Sequence, residues 1–212
     1  QMGGLTRIAS YLDRVEAPNR LRVDVGDAIE GPEDYHRIEY GYILKAFAQM
    51  EYDAVNLGHR EASHSAGNLR AIKATAPVAM ISANLIDKTS KQLIFDSHRI
   101  IERGGWKIAL VGVMDGGISE DALGEGLTVE NPETALSRLI PTLKSQADFI
   151  VLLAFVDEEK LRRFAETFYE IDLILGGKVT QPSQQLERVN ESLILYTTNE
   201  SRALGSAGVM LN

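Results

Sequence analysis

The chain of 212 residues contains no cysteine, which removes disulfides, thioether-linked haem, iron–sulfur clusters and cysteine-ligated zinc. Thiol nucleophiles go with them, and so does every cysteine-based catalytic mechanism. Positive charge is also short: 22 Lys and Arg stand against 30 Asp and Glu, a formal net charge of −8. That balance argues against a nucleic-acid surface built on bulk positive charge. No apolar run approaches the ~20 residues of a membrane-spanning helix. The amino end, QMGGLTRIAS, lacks the basic start and apolar stretch of a signal peptide. Also missing are the Gly-x-Ser-x-Gly of serine hydrolases, Walker spacing, GxGxxG, and the HxH or HExxH spacing of metal sites.

What is present is ordinary for a folded globular protein, with 44% hydrophobic and 25% charged residues. The length suits one domain, read here as 1–212 without repeat, low-complexity tract or linker. Leu5, Ile8, Leu12 and Val15 recur at helical steps, and Pro18-Asn19 ends that helix. Leu21–Val25 reads as a short strand entering Gly26-Asp27. A second helix is expected over Tyr35–Met50 with Ile38, Ile43, Ala46, Phe47 and Met50 inward. Asp53–Leu57 reads as a strand, Asn68–Ala74 as a helix stopped by Pro77, and Val78–Ile86 as a buried strand.

Leu93–Glu102 and Trp106–Val113 flank Gly104-Gly105, a hairpin signal. Gly116–Gly126 is glycine-rich and acidic, a surface loop. Asn131-Pro132 predicts an N-cap with proline at the first helical position, opening a helix to about Gln146. Strands follow at Phe149–Phe155, Leu173–Leu175, Leu193–Thr197 and Val209–Leu211, with a helix over Glu158–Tyr169. The alternation gives a mixed-sheet α/β domain.

In such sheets ligands gather at the carboxyl ends of strands. Four ends carry loops with chemistry: Gly26-Asp27-Ala28-Ile29-Glu30-Gly31, Asn56-Leu57-Gly58-His59-Arg60-Glu61, Ala154-Phe155-Val156-Asp157 and Gly176-Gly177-Lys178-Val179-Thr180. Asp27 after an apolar strand reads as a metal ligand or general base, or as a turn cap. His59-Arg60-Glu61 offers an imidazole, a guanidinium and a carboxylate, or only a surface charge cluster. Gly176-Gly177 could cradle a phosphate or simply make a tight turn. His36, His64 and His98 read as surface or turn residues.

Taken together, GGLTRIASYLDR, LRVDVGDAIEG, EYDAVNLGHRE, APVAMISANLID, GGWKIALVGVMD, DFIVLLAFVD, IDLILGG and SLILYTTNESRALGSAGVMLN run in an order that resembles the calcineurin-like metallophosphoesterases. In particular they resemble the N-terminal catalytic domain of bacterial 5′-nucleotidases. The resemblance implies a sandwich of two mixed β-sheets flanked by helices, and phosphate-ester hydrolysis by two bridged metal ions. It also implies an Asp-x-His strand ahead of Gly3-Gly4, upstream of this chain. The substrate-binding domain that follows in 5′-nucleotidases lies outside these 212 residues.

By the same resemblance Asp27 matches the bridging Asp. His59 falls where an Asn ligand is expected, Arg60 at the catalytic His, Phe155 at a lone His, and Lys178 and Thr180 at a final His pair. A catalytic divalent site needs about three protein ligands. An ammonium has no lone pair to give, phenylalanine has no donor, and a guanidinium stays charged at ordinary pH. The expectation is therefore a degenerate domain without dinuclear hydrolysis and without a required cofactor, in which Lys178 pairs with Asp27. Its role would be scaffolding or binding a protein partner or fused domain. Two alternatives stand beside it. One is a phosphate- or nucleotide-binding module using Arg60 and Lys178. The other is an active hydrolase with a reduced manganese, iron or zinc site. Neither nucleic acid nor a membrane span is expected, and the resemblance favours a periplasmic or secreted setting.

Overall fold

The computed structural model describes residues 4–15, 19–198 and 204–210. A small parallel sheet is wound from β1 (Val23–Asp24), β2 (Ala54–Asn56) and β3 (Met80–Ile81) in that spatial order. Its crossovers are α2 (Asp34–Gln49) and α3 (Ala66–Thr75), and α1 (Leu5–Leu12) precedes β1. The large sheet has six strands: β5 (His98–Arg103), β6 (Trp106–Met114), β8 (Phe149–Phe155), β9 (Leu173–Gly176), β10 (Glu187–Val189) and β11 (Ser192–Tyr196). Their order is β10-β11-β9-β8-β6-β5, parallel in the middle and antiparallel at both edges. A third pairing joins β4 (Leu85–Asp87) to β7 (Leu127–Val129).

The two main sheets face each other. Ala54 and Ile81 of the small sheet pack against Ile108, Leu110, Val151 and Leu153 of the large one. The outer face of the small sheet is covered by α1, α2 and α3, whose Leu5, Ile8, Leu12, Tyr40, Leu44, Phe47, Leu69 and Ile72 share one cluster. The outer face of the large sheet is covered by α4 (Pro132–Lys144) and α5 (Glu158–Thr167), through Leu136, Ile140, Leu161 and Phe164. Because β8 is buried on both faces, its sequence reads as an unbroken apolar run, FIVLLAF. This is the expected helix-flanked sandwich. No helix among the described residues is long and apolar enough to cross a membrane.

Several local expectations hold for the physical reason given. Asn131 caps α4 by accepting from the Thr134 amide, with Pro132 next. Gly104 and Gly105 take φ of 57° and 85° at the β5–β6 hairpin, as a two-residue primed turn requires. Others fail. Ile38 is 62% exposed, because the buried stripe of α2 is set by Tyr40, Leu44 and Phe47. Val78–Ile86 is two strands, since the Asn84 side chain bonds the carbonyls of Met114 and Glu130 and peels the chain from β3 into β4. β7 and β10 have no counterpart among the strands expected from the sequence; each is three residues long. Val209 and Met210 form no strand, and Leu211, like Gly3 and Pro18, lies outside the described residues.

Candidate functional site

β1 and β2 end side by side, and their loops interlock. Gly26 has φ 110°, and a Cβ there would meet the Leu57 carbonyl carbon at 2.6 Å; one at Gly58 would meet the Asp27 nitrogen at 2.6 Å. Only glycine permits this approach. Asp27 itself sits at φ 68°, a left-handed conformation that costs energy for a side-chain residue. Glu61 holds it there. Fully buried, that carboxylate accepts from the amides of Asp27 (2.9 Å), Ala28 (2.8 Å), Ile29 (3.3 Å) and Gly58 (2.8 Å). Burial, with the nearby Asp27 charge, pushes Glu61 up to about 7 against those amides. Asp24 is raised to about 6, chiefly by burial.

The Asp27 carboxylate is already engaged. Its Oδ1 accepts from the Arg60 amide at 2.8 Å, and its Oδ2 lies 3.4 Å from Arg60 Nε. His59 turns the other way, with Nε2 3.1 Å from the Asp115 carbonyl oxygen and its ring edge-on to Phe155, centroids 5.4 Å apart. A carbonyl only accepts, so Nε2 carries the proton and Nδ1 holds the lone pair. Burial lowers the His59 pKa, which favours the neutral ring. Lys178 does not pair with Asp27: its Nζ bonds Asp115 Oδ2 at 3.0 Å, and Lys160 takes Oδ1. Thr180 is exposed.

No protein-family profile matches the chain. A 5′-nucleotidase of Vibrio cholerae is 25% identical over 157 residues, which are 66% of this chain and 28% of the relative. The sulfate thiohydrolase SoxB of Thermus thermophilus superposes with a TM-score of 0.79 at 21% identity, covering 94% of this chain and 38% of that one. The calcineurin-like phosphoesterase YfkN of Bacillus subtilis gives 0.76 at 22% identity, covering 92% and 72%. The chain has the calcineurin-like phosphoesterase fold. It resembles 5′-nucleotidases in sequence and spans little more than a quarter of the curated relative it matches.

Within this phosphoesterase fold, Asp27 and Arg60 come together, and His59, Phe155 and Lys178 gather around Asp115 as a second cluster. The expected Lys178–Asp27 pair is corrected. Asp115, at the end of β6, lies within reach and already has the charge that the ammonium seeks. Sequence reasoning missed Asp115, although it ends the apolar strand β6 just as Asp27 follows β1. It also missed Lys160, which only the packing of α5 brings near, and the clamp role of Glu61. A divalent ion does not fit the side chains present. Asp27 already holds the amide and guanidinium of Arg60, His59 offers only Nδ1, and Phe155 and Lys178 have no lone pair to give. Among the described residues, no three His, Asp or Glu side chains converge on a metal position.

Proposed function

We propose that this chain carries a degenerate 5′-nucleotidase-like phosphoesterase domain, which keeps the fold, has lost dinuclear-metal hydrolysis, and serves as a scaffold or partner-binding unit. The observation that carries this reading is the Arg60–Asp27 pairing, in which one residue supplies both an amide and a guanidinium to the carboxylate. A second cation, Lys178, sits on Asp115 beside Phe155 and His59. Fixed ammonium and guanidinium groups balance charge as divalent ions would, but they bind and acidify no water. The test is metal analysis of the purified protein, paired with a chromogenic phosphate-ester assay in manganese. The reading expects metal far below one ion per chain and no turnover above an Asp27→Ala control. Stoichiometric metal, or turnover that disappears in that control, removes it and restores the active hydrolase.

A second reading has one observation in its favour. Arg60 and Lys178 remain 38% and 37% exposed despite their partners, so a phosphate or nucleotide can reach both heads. Calorimetric titration with inorganic phosphate and nucleotides separates the readings: heat that disappears in Lys178→Ala supports the binding module. No required cofactor enters either reading. By analogy with exported relatives, the setting is periplasmic or secreted.

A further inference from the structure

A helix on the surface of a globular protein is ordinarily apolar toward the core and polar toward water. On α5 the exposed residues are Glu159, Arg162, Arg163, Glu166 and Thr167, and neither α3 nor α4 exposes a large apolar side chain. Helix α2 is different. Its buried stripe of Tyr40, Leu44 and Phe47 packs in the small-sheet cluster. On its other side Tyr35, Ile38 and Tyr42 are 58%, 62% and 66% exposed. With Lys45 and Gln49, also exposed, they are spaced by three, four, three and four residues. That is the a/d step of a helix–helix seam, here on the face turned away from the core. Tyr42 touches a groove of about 1420 Å³ beside β1, but Tyr35, Ile38 and Lys45 do not line it. The stripe is a ridge, not a pocket, and clustered apolar exposure of this kind marks a surface that meets a macromolecule.

The charges along the stripe say what fits it. Asp34, its side chain 86% exposed, marks the amino end. Toward the carboxyl end the Lys45 ammonium lies 5.1 Å from the Tyr42 ring centroid. A second α2 laid antiparallel, in the register that sets Ile38 against Tyr42, complements the first. Two Ile38–Tyr42 contacts form at the centre. At each end Lys45 of one copy meets Tyr35 and Asp34 of the other, a cation–π contact and an ion pair. A parallel pair would instead set Lys45 against Lys45 and Asp34 against Asp34. Gly41 flanks the stripe, with nothing within 4 Å of where a Cβ would stand, so a second helix can come close there. On the other flank Glu39 meets its own counterpart in solvent, a like-charge contact that keeps the pair weak.

We propose that α2 is a homodimerisation surface, on which a second copy of this chain packs antiparallel along Tyr35, Ile38, Tyr42 and Lys45. The two-fold axis passes level with Tyr40, and the same patch serves both copies, as an isologous interface requires. α2 has 16 residues, about 24 Å at 1.5 Å per residue. One helix pair of that length buries less than the roughly 800 Å² per partner of a standard interface. The dimer is therefore weak, half-formed at about 10–100 µM. The proposal goes beyond the functional reading and does not rest on it, because it stands on the outer face of α2 and not on the chemistry around Asp27.

The test is sedimentation of the purified protein from about 1 to about 500 µM, over which the mean mass rises from that of the monomer toward twice it. Ile38→Glu, at an exposed position, shifts the melting temperature by less than about 2 °C and weakens dimerisation at least about 30-fold. Lys45→Glu weakens it about 10-fold. Adding Asp34→Lys to that variant restores the affinity to within about fivefold of the parent, because the exchanged charges face each other again. A protein still monomeric at about 500 µM overturns the proposal and assigns the stripe to a different macromolecule. A dimer that withstands Ile38→Glu lies on another surface and overturns it too. So does a loss in Lys45→Glu that Asp34→Lys fails to repair, since the antiparallel register requires the repair. The readout is mass rather than metal or turnover, so failure here is distinct from failure of the functional reading.

Discussion

Asp115 bears more of the electrostatic load than Asp27 does. Its side chain is 6% exposed, and the Lys160 and Lys178 ammonium groups both close on it. Burial alone would raise its pKa, but the two lysine hydrogen bonds and the Gly117 amide outweigh burial and hold it at about 2. A carboxylate depressed in the folded state contributes stability above its unfolded pKa, and that contribution is lost as pH falls through the folded value. The window here is therefore from about pH 4 down to about pH 2. At 1.36 kcal/mol per unit, discounted because Lys178 is 37% exposed, the contribution is about 2 kcal/mol. Asp115→Asn should lose about that much in urea unfolding at pH 7, and the gap from the parent should narrow as pH drops from 4 toward 2. An unchanged midpoint at pH 7 would show the lysines to be solvated spectators.

At the scale of elements, the site depends on how closely the ends of β1 and β2 approach. A methyl group at Gly58 would lie 2.6 Å from the Asp27 nitrogen and 2.8 Å from its Oδ1, and backbone cannot yield as a side-chain tip can. Gly58→Ala should cost about 2–3 kcal/mol of unfolding free energy and displace the amide resonances of Asp27 and Arg60 together. Gly67→Ala, in α3 with nothing nearer than 3.9 Å, should be neutral or slightly stabilising, since alanine is the better helix former. Loss of stability in both variants alike would remove the interlocked-loop account. The same contrast explains what could be read in advance. β8, α4 and the Gly104-Gly105 hairpin each carry a local signal: an unbroken apolar run, a cap with proline, and a turn pair at positive φ. The break between β3 and β4 carries none, because it is made by Asn84 reaching residues 30 and 46 positions away. At the site, the loop positions of Asp27, His59, Phe155 and Lys178 were legible from strand ends. Their pairings were not, because Lys178 meets a carboxylate 63 residues distant that lies on another strand.

For the molecule as a whole, the layered order sets which parts open first. β6 and β8 lie at the centre of the large sheet, with Ala109, Leu110, Val111, Leu152, Leu153 and Ala154 all fully buried. Both faces are packed, by the small sheet on one side and by α4 and α5 on the other. Amides there become exposed only when both layers separate, so their exchange reports global unfolding. β10 is an edge strand of three residues with none buried, α1 has no buried residue, and residues 204–210 form no regular structure. Native-state hydrogen exchange should rank these segments fastest, α2 and α3 intermediate, and β6 and β8 slowest by several orders of magnitude. Urea should accelerate β6 and β8 with the full slope of global unfolding and leave α1 and β10 nearly unchanged, because local opening exposes little new surface. The alternative is that α1 and the small sheet exchange in step with β8. That pattern would mean the two layers unfold as one unit, and that the groove beside β1 does not weaken the edge on which it lies.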